Sequence, residues 1–113
     1  MKFKLLMVAI GGTFLFTYCS SSKKAAGSKQ TISYAQHIQP IVSVQCSPCH
    51  FPSRDGKKAS LETYDDVSMQ INDIIRRIEL YPGTKGYMPM KKARLSDSTI
   101  ALFKTWKDEG MGK

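Results

Sequence analysis

The pentapeptide Cys46-Ser47-Pro48-Cys49-His50 decides how the rest of the chain is read. Two thiols three residues apart, followed at once by an imidazole, form the pattern for covalent attachment of a c-type haem. The spacing has a chemical reason. Both thiols reach the two vinyl groups on one edge of the porphyrin and form thioethers, and the histidine is then held under the ring to ligate the iron from one face. Iron held in this way takes one further protein ligand, which the remaining chain has to supply.

A Cys-x-x-Cys pair also occurs in zinc sites, in redox dithiols and in plain disulfides. Zinc requires four ligands. Apart from Cys19, the soft ligands are Cys46, Cys49, His50 and His37, enough in number but matching no usual zinc spacing. A thioredoxin-like dithiol requires a βαβ framework, and the flanking stretches do not read as strands. Covalent haem is the expectation that also agrees with the export segment upstream.

That segment begins with a basic Met1-Lys2-Phe3-Lys4, followed by an apolar run from Leu5 to Phe16. The run is too short to span a bilayer as a stable helix and suits a secretory signal peptide. Leu15-Phe16-Thr17-Tyr18-Cys19 resembles the lipobox at which bacterial lipoproteins are cleaved and acylated, with Tyr18 bulkier than usual. Ser20 to Gln30 has no large apolar residue and reads as a tether, letting a domain sample a shell on the order of 20 Å from a membrane. The expected organisation is a signal over 1–18, a lipid-anchored tether over 19–30 and a folded domain over 31–113. Cys19 takes the lipid and Cys46 with Cys49 the haem, so no thiol is left over.

A chain of 113 residues holds one domain at most, and residues 31–113 bury only a marginal core unless something staples it. A covalent haem is such a staple. The formal charge is +8, and removing Lys2 and Lys4 with the signal leaves about +6. An exported chain with no recognition motif does not suit nucleic acid. The positive balance suits an acidic redox partner, or simply solubility.

The periodicities are helical throughout. Ile32, Ala35, Ile38, Ile41 and Val42 share one face, and Pro40 fits a first helical position, so the principal helix is expected to start near Gln39 and to deliver Cys46. Pro48 should break it within the motif. Phe51 to Ala59 reads as a loop. Val67, Ile71, Ile74, Ile75 and Ile78 form an apolar stripe behind a Thr63/Asp66 capping box, with Arg76 and Arg77 following as solvated residues or as a propionate partner. Lys91-Lys92-Ala93-Arg94 reads as a solvated basic run or as part of a docking face. A last helix starts at a Ser96 cap, buries Ile100, Phe103 and Trp106, and ends at Gly110. The expected class is all-α, three to four helices around one haem.

The segment Tyr81 to Met90 is a loop carrying Met88 and Met90 on either side of Pro89. Thioether sulfur is a soft ligand that suits the second axial position of haem iron. The residues alone do not separate the two methionines. A sixth ligand from His37, or an open sixth position, are the competing arrangements, and both methionines as core fillers is the plain structural reading.

Taken together, Ile38-Gln39-Pro40-Ile41, Cys46 to His50, Leu61-Glu62-Thr63-Tyr64, Met88-Pro89, Leu95-Ser96-Asp97, Trp106 and Gly110 resemble the motif series of small bacterial cytochrome c domains. The resemblance covers about Ser33 to Met111 and departs at Met90, often a second proline in the family, and at Phe51, often glycine. It implies the mainly helical cytochrome c fold with His50 and the Met-Pro methionine, Met88, as axial ligands and Met90 as the alternative. The implied function is electron transfer rather than catalysis. The partners expected are redox proteins, acidic-faced or in a membrane respiratory complex, at the bacterial cell envelope facing the periplasm. A haem-based sensor, a gas-binding lipoprotein or a peroxidase-like protein with an open sixth site is the alternative.

Overall fold

The computed structural model describes residues 31–113, so the expected signal, the expected lipidation position Cys19 and the expected tether lie outside the described residues. The fold is all-helical: among the described residues there are three α-helices and no strand. They are α1 (Gln39–Gln45), α2 (Tyr64–Glu79) and α3 (Asp97–Asp108).

Helix α1 continues a wider, π-wound turn, Tyr34–Ile38, which starts at Ser33, whose hydroxyl accepts the Gln36 N–H. Pro40 explains the change of winding. It has no N–H for the Gln36 carbonyl, and its ring would crowd that carbonyl in a regular α-helix. The Gln39 N–H instead reaches Tyr34 O, five residues back. Helical structure therefore begins ahead of the expected Gln39, and the α-wound part starts there. It ends at Gln45, with the Cys46 N–H capping on Val42 O, before the chain turns through the motif.

Helix α2 has the capping box that Thr63 and Asp66 predict. The Asp66 N–H donates to Thr63 Oγ1, the Thr63 N–H donates to Asp66 Oδ2, and Ser60 Oγ donates to the same carboxylate at 2.8 Å. The Ser60 and Thr63 bonds hold the Asp66 carboxyl below its ordinary value. A depressed carboxyl stabilises the fold above its unfolded pKa, and that contribution is lost as pH falls through the folded one. Acid titration of Asp66→Asn should therefore show lower stability at neutral pH and a shallower loss below about pH 4. Equal slopes for the two proteins would contradict this.

The stripe Val67, Ile71, Ile74, Ile75 and Ile78 is buried, as are Ile100, Phe103 and Trp106 of α3. Ser96 caps α3 through the Thr99 N–H. At the other end Gly110 has φ +88, the Gly110 N–H donates to Lys107 O, and the Met111 N–H donates to Trp106 O, a Schellman close that uses the expected glycine.

The two ends of the domain are clasped. Trp106 Nε1 and the Tyr34 N–H both donate to Gly112 O at 2.8 Å, and Tyr64 Oη donates to Met111 O. The Tyr34, Tyr64 and Trp106 rings pack with centroids 5.4–6.0 Å apart, tying the first turn to α2 and α3. Trp106 is thus the core aromatic against the first helix that its position predicted.

Candidate functional site

The residues that the sequence singles out come together. Cys46, Cys49, His50, Met88 and Met90 all line one cavity of about 350 Å³. Its apolar walls come from every helix: Ile41, Ile74 and Ile78, and Phe103, with Leu61 and Leu95 from the connecting segments. The α2 stripe therefore serves two surfaces, with Ile74 and Ile78 facing this space while Val67, fully buried, belongs to the helical core.

His50 is oriented by the backbone. Its Nδ1 lies 2.7 Å from the Ala59 carbonyl oxygen, which can only accept. The Nδ1–H is committed there, leaving the Nε2 lone pair open for a ligand. The Phe51–Ala59 stretch, expected as a plain loop, is a clamp around the motif. A short 3₁₀ turn, Pro52–Arg54, folds it back, the Lys58 N–H donates to Cys49 O, and the Leu61 N–H donates to His50 O. Gly56 sits where a side chain has no room: a Cβ there would overlap Pro48 O and lie 2.6 Å from Cys49 O and 2.8 Å from Phe51 N.

Cys46 is half-buried and Cys49 exposed. Burial pushes the Cys46 thiol up to about 11, with the Lys92 charge acting in the opposite direction. That is the reverse of the lowered pKa that activates a redox thiol. His37, the fourth soft ligand a zinc site would need, does not line the cavity; its Nδ1 accepts the Ser33 N–H at 3.1 Å.

The methionines are not equivalent. Met88 is half-buried, and its N–H donates to Arg77 O of α2 at 3.2 Å, whereas Met90 is 60% exposed. Four of the basic residues read as solvated, Arg76, Arg77, Lys92 and Arg94, have structural partners. Lys92 Nζ donates to Val44 O, Gln45 O and Ser47 O at 2.8–3.2 Å, placing a cation on the carbonyl end of α1. Arg94 bridges Asp97 and the Leu95 and Glu79 carbonyls. Arg77 Nε donates to Asp73 at 2.6 Å, Arg76 pairs with the same carboxylate, and Arg77 Nη1 lies 3.4 Å from Gly86 O.

Sequence reasoning missed Gly56, the Ala59 carbonyl, and the roles of Lys92 and Arg77. Only Gly56 left a trace, a glycine close after the motif; a backbone carbonyl has no sequence signature. Compared with protein-family models, curated proteins and solved structures, the chain gives no match.

Proposed function

We propose that residues 31–113 are a monohaem c-type electron carrier, held at the cell envelope through Cys19 and exchanging electrons with redox protein partners. The reading rests on one observation. The Cys46/Cys49/His50 group and Met88, far apart in the chain, line the same apolar cavity, and the His50 Nδ1 is already bonded to Ala59 O.

The residues fit a haem. They offer two thiols, an imidazole with one open nitrogen, a thioether and a lining whose surface is mostly apolar, and about 350 Å³ lies within the range of ligand cavities. When bound, the iron supplies a one-electron Fe(II)/Fe(III) couple. Cys46 and Cys49 would tether the group, and Ala59 O would keep the His50 ring in one tautomer and orientation. Met88 would provide a soft neutral ligand, which favours a higher potential. Ile41, Ile74, Ile78 and Phe103 would give the group apolar walls, and Lys92 holds the end of α1 that carries Cys46.

The test is the visible and near-infrared spectrum of the full chain made with a cytochrome c maturation system. The expected result is haem that stays with the polypeptide on acid extraction, a methionine-to-iron charge-transfer band in the oxidised state, and no change with carbon monoxide. Met88→Ala should remove the band and admit carbon monoxide, while Met90→Ala should leave both unchanged. Carbon monoxide binding by the unaltered chain would favour a sensor or peroxidase-like protein instead. A chain that retains no haem would overturn the reading and revive zinc.

A further inference from the structure

Among the described residues four large apolar side chains are exposed, Val44, Met69, Tyr81 and Met90. Of these only Met90 also lines the cavity, so its side chain is open to solvent and part of the cavity wall at once. Met88 lines the same cavity but is half-buried, and the proline between the two methionines is buried. That arrangement sets the two thioethers apart chemically. A thioether reacts with a hydroperoxide at a rate governed by access to its sulfur. A sulfur lone pair attacks the O–O bond, which breaks; one oxygen stays on sulfur as the sulfoxide and the other leaves as water or an alcohol. Sulfur gives up two electrons and the peroxide takes them. Met90 is open to this attack, whereas Met88 is shielded by the fold and, as an iron ligand, has a lone pair already engaged.

We infer that Met90 is a modification site: a hydroperoxide converts it to the sulfoxide ahead of Met88, and the oxygen so placed in the cavity wall lowers the reduction potential of the group held there. The inference rests on the electron-carrier reading. Oxidation turns a flexible apolar side chain into a polar one. A wall whose surface is mostly apolar disfavours the extra positive charge of oxidised iron, and a sulfoxide dipole within it relieves that cost.

The experiment treats the holoprotein, Met90→Leu and Met69→Leu with hydrogen peroxide short of bleaching. Peptide masses locate the sulfoxide, and each reduction potential is measured before and after. Leucine keeps the volume and the apolar character while removing the sulfur. Met90 should gain its oxygen at least about fivefold faster than Met88, and the potential should fall in step while the methionine-to-iron band remains. Met69 is the more exposed sulfur, 78% against 60%, and lies off the cavity, so Met69→Leu should keep the shift and Met90→Leu should lose it. Methionine sulfoxide reductase with a dithiol, which returns the thioether and releases the oxygen as water, should restore the starting potential. Equal oxidation of Met88 and Met90, a shift that persists in Met90→Leu, or Met90 sulfoxide without a shift would each overturn the inference. Those failures are read in a chain whose haem and band are intact. A chain without haem fails the electron-carrier reading itself and takes this inference with it.

Discussion

Replacing Gly56 by alanine should destabilise the domain by about 3 kcal/mol and sharply lower the yield of chain that carries haem. Overpacking a protein interior costs about 1–3 kcal/mol when side chains can shift. At Gly56 the atoms in the way are backbone: Pro48 O, Cys49 O and Phe51 N. To make room, the motif turn must separate from the clamp, and the Gly56 N–H to Phe51 O bond at 3.0 Å goes with it. The same movement loosens the Lys58 N–H to Cys49 O bond and draws Ala59 O away from His50. Denaturant unfolding reads the stability, and acid-resistant haem per polypeptide reads the site. Alanine tolerated in both would mean that the clamp does not hold the motif.

Trp106→Ala should be costlier still, about 3–5 kcal/mol, the range for emptying a buried large aromatic site. Trp106 is fully buried and touches both Tyr34 and Tyr64. Small domains lie near the low end of the usual 5–15 kcal/mol of stability, so this loss should leave much of the population unfolded. Trp106→Phe separates packing from hydrogen bonding. It keeps a ring, and Gly112 O still accepts the Tyr34 N–H, so no buried carbonyl is orphaned. Its cost should be about 1–2 kcal/mol, from one lost bond and a smaller side chain. If both variants unfold at the same denaturant concentration, the indole hydrogen bond to Gly112 O, and not ring packing, is what Trp106 supplies.

Local rules account for what could be read in advance. The α2 stripe, the Thr63/Asp66 box, the Ser96 cap and the Gly110 close each follow from residues within one or two turns of one another, so periodicity and capping chemistry suffice for them. Pro40 shows the limit of such rules. Its missing N–H forbids a regular bond but does not say whether the chain stops or widens into a π-turn, and here it widens.

The Cys-x-x-Cys-His pentapeptide, the methionine pair and the three helices were written in the order of residues, because thiol spacing, ligand softness and helical period are local properties. Three-dimensional packing alone decided that Met88, not Met90, is the half-buried methionine, that Lys92 bonds the carbonyls at the end of α1 and Arg77 the Asp73 carboxylate, and that a glycine and an alanine carbonyl brace the motif. The physical reason is shared by all of these. Each depends on a backbone atom, or on the closeness of segments far apart in the chain, and neither has a residue-type signature that one sequence can display.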